Sequence, residues 1–415
     1  MHWALGRQEM GLLTFSWRES ILRQIQEFYK RLLVIAVPVI LQSLITTGVN
    51  LVDNIMLGQL TETALSGSTQ ANQFITLYTF VTMGISMGAS VLSSRYWGAR
   101  DLVSLKKIIT IALRFSLALA LCFTAANVFF PQYIMSLYFQ PDAVGEIAAG
   151  VTYLRWSTGC FVLMAISLVL TNILRSMSLS AVPLLASACA FGINIGANYV
   201  LIFREIGISA MGVAGAALGT FLARIVETGV IMVSFFRNQR LRYRLKDILR
   251  PCKDLVMEFL RISVPVMLSD SLLGLGDNVL AIIMGADRFR ICFGQLHNGA
   301  CAARQHDIYI RGLSFFQGCF LTGQTLGEGR TKEAYRQGYT YLFLGAVVGV
   351  GAALIIQGIS GRIIEVYKIT DETKEIARQL MNALCVIVVF RSTNSILTKG
   401  VLRGGGDTRF LLMAD

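Results

Sequence analysis

The run LLVIAVPVILQSLITTGVNLVDNIML at residues 32–57 constrains this chain more than any other stretch. About 20 apolar residues span the hydrocarbon core of a bilayer as a helix, and this run is long enough. It holds one proline, Pro38, and one carboxylate, Asp53, in its last turns. A carboxylate at that depth costs about 2.5–3.5 kcal/mol on insertion scales. A bound cation, a proton or a fixed partner must offset that cost.

Further apolar runs follow at 70–94, 108–130, 148–173, 182–203, 213–236, 262–285, 339–359 and 380–402, with a doubtful one at 291–323. Another begins at Phe410 and is cut off at Asp415. Only 15% of the 415 residues are charged, against about 25% in soluble domains. The chain therefore reads as an all-α polytopic membrane protein. The formal charge of +12 lies in the gaps between spans and is no nucleic-acid signal. The eight cysteines are scattered with no metal-binding spacing, so they read as small apolar packing residues. No signal peptide is visible in residues 1–31, and Trp17 to Arg31 suits an amphipathic helix on the membrane surface.

The gaps alternate in charge. Lys30 and Arg31 precede the first span, the next gap has no base, and Arg95, Arg100, Lys106 and Lys107 fill the one after. The alternation continues, and 237–261 is the most basic gap of all. By the positive-inside rule the N-terminus and every second gap face the cytoplasm of a bacterial-type membrane.

The chain also repeats itself. Pro38 in RLLVIAVPVILQS matches Pro265 in RISVPVMLSD, Gly84 matches Gly312, and Arg175 in LTNILRSMSLSAVPLL matches Arg403 in TKGVLRGGGDTRFLL, each offset by 227 or 228 residues. Two six-helix bundles of like orientation follow, related by a pseudo-two-fold along the membrane normal with a cavity between them. The expected parts are a lead-in over 1–31, an N-terminal lobe over 32–236, a basic linker over 237–261 and a C-terminal lobe over 262–415.

Two features disturb the second copy. It ends before counterparts of the fifth and sixth spans, so the chain reads as truncated. Residues 286–311 carry Asp287, Arg288, Arg290, Arg304, Asp307, Arg311, His297 and His306 where the first copy is nearly uncharged. A pair of compensating frameshifts explains this; the competing explanation is a genuine hydrophilic loop or gate. Mass spectrometry of a native 286–311 peptide, with a verified gene sequence, decides between them.

The motifs PVILQSLITTGVNLVDNIMLGQL, GISMGASVLSSRYWGARD, INIGANYVLIF, GVAGAALGTFLAR, GQTLGEGR and GVLRGGGDTR together resemble the multidrug and toxic compound extrusion (MATE) family, from about residue 30 to 415 except 286–311. The resemblance implies a twelve-helix exporter of cationic, amphipathic compounds driven by inward movement of Na⁺ or H⁺. This chain would lack the last helices of that fold.

The residues themselves allow such chemistry. Asn194 and Asn198 are four apart and share a helix face. Thr220 lies among small residues that permit close helix approach. With Asp53 they offer hard oxygen ligands suited to Na⁺, and the carboxylate can take a proton instead. The resemblance places these four in the cation site of the N-terminal lobe. Interhelical hydrogen bonding alone is the plainer explanation for the asparagines. Asp270 and Asp277 could supply a carboxylate in the C-terminal lobe. Pro38 and Pro265 are expected hinges. Arg114, Arg224 and Glu227 read as helix-end or snorkelling charges. Gly98, Gly327 and Gly404 to Gly406 read as turn formers, with no phosphate-loop lysine after them.

The function expected is a cation-coupled antiporter with small cationic, amphipathic substrates, no enzymatic activity, no cofactor beyond the coupling ion and no nucleic-acid partner, working as a monomer in membrane lipid. A flippase of lipid-linked precursors shares the architecture but would want a cationic cavity. A prenyltransferase would need paired acidic motifs for Mg²⁺, and none is present. An inactive gene remnant is the third alternative.

Overall fold

A computed structural model describes residues 30, 33–46, 48–49, 52–53, 56–57, 60–139, 143–203, 211–249, 251–285, 320–366, 371–408, 410 and 413. The expected surface helix from Trp17 to Arg31, apart from Lys30, and the anomalous 286–311 stretch lie outside the described residues.

The described chain is built from helices: α1 (Leu33–Thr46), α2 (Glu62–Gly98), α3 (Leu102–Phe129), the short α4 (Pro131–Ser136), α5 (Val144–Trp156), α6 (Cys160–Ser176), α7 (Ala181–Phe203), α8 (Val213–Phe236), α9 (Lys253–Gly285), α10 (320–327), α11 (Thr331–Val366) and α12 (Asp371–Ser395). Six are long and apolar enough to cross a membrane, seven if the bent pair α5–α6 counts as one.

That bend departs from the single span expected over 148–173. The axis turns by 58° between α5 and α6. Gly159 lies at the turn, and a Cβ there would stand 2.5 Å from the Phe221 ring. The Asn127 amide donates to Leu154 O at 2.8 Å and Thr158 Oγ1 at 2.9 Å, fixing the turn to α3. The linker also differs in extent, because α9 already begins at Lys253.

Sequence-local caps set several helix starts. Thr61 Oγ1 accepts from Ala64 N at 3.0 Å, and Asp101 Oδ1 accepts from Val103 N and Ser104 N at 3.1 Å. Pro38 sits inside α1 and leaves the Val34 carbonyl without its helical donor. Ser180 Oγ supplies one at 3.2 Å.

The core of the first lobe centres on α2, which packs against α3, α5 and α6, while α8 packs on α5, α6 and α7. Tyr78 and Phe161 meet edge to face at 5.0 Å, and Tyr78 Oη donates to Phe161 O at 2.7 Å. The linker folds back on α3: Lys106 Nζ donates to Arg242 O at 2.9 Å, and Arg114 Nε to Ile248 O at 2.9 Å. Arg114 is thus a linker anchor rather than a snorkelling charge.

The second half meets the first along α2. A Cβ on Gly84 would collide with Met267 of α9, and one on Gly88 with Ser263. Gly98 packs on the backbone of Gln324, and Gly327 on the backbone of Arg95. These two contacts exchange when the copies are aligned here at an offset of 229 residues, which pairs Arg95 with Gln324 and Gly98 with Gly327, as a two-fold axis between α2 and α10 requires. Gly98 and Gly327 are therefore close-approach residues, not turn formers; Gly406, at φ 81°, does end its helix in the left-handed conformation. Arg95 also donates to Gly405 O, while Gln324 Nε2 donates to Ser176 O at 2.6 Å. The two halves are clasped at this basic end.

Candidate functional site

Three helices of the first lobe carry polar groups in otherwise apolar runs: the helical residues that follow α1, then α7 and α8. Asn198, buried on α7, donates from Nδ2 to Asp53 Oδ1 at 2.6 Å. Its Nδ2 also faces Asn194 Oδ1 at 3.5 Å. Gly219 makes this possible, because its Cα lies against Asn198 Oδ1 and any Cβ would displace the amide. Asp53, Asn194 and Asn198 are thus brought together by three elements.

Thr220 follows Gly219 on α8 and lies within reach of the buried Tyr153 phenol, which also faces Asn72 of α2 and Asp53. Tyr153 and Asn72 are neighbours of this cluster that the sequence does not single out. Tyr153 lies in an apolar span, where an aromatic gives no signal by composition.

Asn198 Oδ1 and Asn194 Nδ2 are buried and make no hydrogen bond among the described residues. Amide orientation follows the neighbours. With an ionised Asp53 the asparagine presents its N–H; with a cation at the carboxylate, the same side chain can present its oxygen. Asp53, the two asparagines and Thr220 therefore fit a hard monovalent cation or a proton. Among the described residues, no cluster of three His, Cys, Asp or Glu could hold a metal ion.

A second polar layer lies two helical turns nearer the basic end on the same helices. Gln42 Nε2 of α1 donates to Ser187 Oγ of α7 at 2.9 Å, and Ser187 Oγ donates to Glu227 Oε1 of α8 at 3.1 Å. Arg224 Nη1 pairs with Glu227 Oε2 at 2.7 Å. Arg175 of α6 completes the layer, donating to Gln42 Oε1 at 2.7 Å. Arg224 and Glu227 are therefore not helix-end charges; Arg224 stands at the middle of α8. The legible clue was an acid and a base three apart halfway along an apolar run.

The repeat reappears here. Arg175 reaches Gln42, and Arg403 reaches Asp270 at 2.9 and 3.2 Å, with partners 133 residues apart in both lobes. Asp270 is thus engaged by a buried arginine. The side chain of Asp277 lies outside the described residues. Pro265 lies within α9 as Pro38 lies within α1.

The chain matches the MatE family over residues 38–200 and 320–414, two blocks that fall in the two halves of the repeat. It is 23% identical over 399 residues to a probable multidrug resistance protein NorM of Thermotoga maritima, covering 93% of this chain and 82% of that protein. It is 21% identical to an uncharacterized transporter, YisQ, of Bacillus subtilis, covering 86% and 78%. Its fold resembles the crystal structure of a eukaryotic MATE transporter (TM-score 0.79, 18% identity, covering 92% of this chain and 84% of the other). A multidrug resistance MATE transporter in an outward-facing conformation gives the same TM-score at 19% identity, again covering 92% and 84%. With more than half of its length matched in two repeat-related blocks, this integral membrane chain belongs to the MatE family.

Proposed function

We propose that this protein is a cation-coupled antiporter that exports cationic, amphipathic small molecules across a cytoplasmic membrane. The carrying observation is Asp53, a carboxylate deep in the first lobe whose nearest donor is a neutral amide, Asn198. An acid held this way can accept Na⁺ or H⁺ as the driving ion. The multidrug resistance names of the relatives support the substrate class. The alternating charge of the gaps supports a cytoplasmic basic end and N-terminus, and the protein works as a monomer in lipid.

In this reading Asp53 is ionised and cation-free while the lobe holds its substrate. Entry of the driving ion neutralises Asp53, and the Asn198 amide no longer has a charged acceptor. The substrate-holding arrangement loses stability, and the lobe releases its cargo outward. A ligand shifts such an equilibrium only by its differential affinity for the two states. Pro38 weakens α1 one turn before Gln42, on the basic side of both polar layers, and the Ser180–Val34 contact is the bond that a bend there would change.

Asp53→Asn removes the charge and keeps the shape. Efflux of tetraphenylphosphonium from cells expressing it should fall to the level of cells without the protein, at unchanged abundance in the membrane. Wild-type export by this variant contradicts the assignment.

A further inference from the structure

The Arg224–Glu227 pair has no part in the cation site just described, yet it occupies the middle of a membrane span. Arg224 keeps 34% of its side-chain exposure and Glu227 keeps 12%. An arginine one-third exposed at mid-span is expected to face a polar cavity, since lipid would leave its charge unsolvated. Arg224 is also within electrostatic reach of Asp53. Geometry explains this. Arg224 lies one turn from Thr220 on α8, and side chains lean toward the N-terminus of their helix, here toward Gly219 and the Asn198–Asp53 pair. Glu227 lies nearly one turn the other way. Along α8, Arg224 thus stands between Gly219, which packs on the Asp53-bonded Asn198, and Glu227, with which it pairs at 2.7 Å. The other ionisable groups around the pair are Tyr153 of α5 and Cys160 and Arg175 of α6.

We propose that Arg224 is an exchangeable counter-ion, and that Glu227 is the carboxylate that binds the cationic head of the transported compound. This rests on the reading of Asp53 as the coupling site. When Asp53 is ionised and ion-free, it draws Arg224 away, leaving Glu227 with the Ser187 hydroxyl and an open negative charge for the substrate. When Na⁺ or H⁺ neutralises Asp53, Arg224 returns to Glu227 and displaces the substrate's cation. Each state keeps the local charge balanced: one cation enters at Asp53 as one leaves Glu227. The driving ion and substrate thereby exclude each other without sharing a residue.

The test is equilibrium binding of radiolabelled tetraphenylphosphonium to purified protein, with Na⁺ replacing choline and over a pH series. In the wild type, the driving ion should raise the Kd by about tenfold or more. Arg224→Gln should bind tightly whether or not the ion is present, and Arg224→Lys should restore the dependence. Glu227→Gln should bind about tenfold or more weakly without the ion. Persistence of wild-type ion dependence in Arg224→Gln, an unchanged Kd in Glu227→Gln, or no binding by the wild type overturns the proposal. Should Arg224→Gln fail to fold, Glu227→Gln decides alone. Asp53→Asn separates the two claims: it should bind weakly at every ion concentration. Wild-type ion dependence in that variant contradicts the role of Asp53 itself, whereas its loss there with retention in Arg224→Gln contradicts only the exchange.

Discussion

Gly219 shows how one missing side chain can set the chemistry of a site. Its Cα leaves room for Asn198 Oδ1, and that placement directs the Asn198 amide at Asp53. Gly219→Ala should therefore abolish ion-coupled export, while Gly229→Ala, on the same helix with nothing near it, should leave export intact. Measuring tetraphenylphosphonium efflux at matched expression checks both. Asp101, between α2 and α3, offers a stability test outside the spans. Its bonds to Ser104 and to the first amides of α3 hold its carboxyl below the ordinary range. Since the folded value is depressed, its stabilisation is present above the unfolded value of about 3.9 and is lost as pH falls through the folded one. Asp101→Ala should cost about 1 kcal/mol at neutral pH. The gap in thermal unfolding temperature from wild type should close in acid. At this scale Asp53, Asn194 and Asn198 are legible in the sequence, because polar groups in an apolar run are few and a spacing of four puts them on one face. The roles of Arg224 and Glu227 are not, since their partner Ser187 lies on another helix and nothing in the sequence pairs the two helices.

At the scale of elements, the apolar runs name the spans, and the charge gaps separate them. The bend between α5 and α6 escapes that reading: hydropathy runs on through Ser157 to Gly159, and only packing against Phe221 and the Asn127 bonds turns the chain. Gly98 and Gly327 were likewise legible as glycines but not as contacts, because their partners come from the other half of the chain. Gly98→Val and Gly327→Val should each push the halves apart at the clasped basic end. Cysteines introduced there should label faster with a membrane-impermeant maleimide in inverted vesicles than in the parent protein. Equal labelling rates would mean that this crossing does not hold the end closed.

For the whole molecule, duplication is the property that the sequence states most openly, and the matched Arg175–Gln42 and Arg403–Asp270 contacts give it physical form. The copies have diverged in charge. The second lobe joins its arginine directly to a carboxylate, a buried pair whose removal from one side alone leaves an uncompensated charge. In the first lobe the arginine's bonded partner is a neutral glutamine, with Glu227 joined to that glutamine through Ser187 and Asp53 farther along. That asymmetry is the reason we propose the first lobe as the seat of ion coupling. The most direct test is antiport in proteoliposomes: purified protein is loaded with tetraphenylphosphonium, and an inward gradient of Na⁺ or H⁺ is imposed. The account predicts that one of these gradients drives tetraphenylphosphonium against its own gradient and that Asp53→Asn abolishes this movement. Uphill movement that survives in Asp53→Asn, or none under either gradient in the wild type, would contradict it.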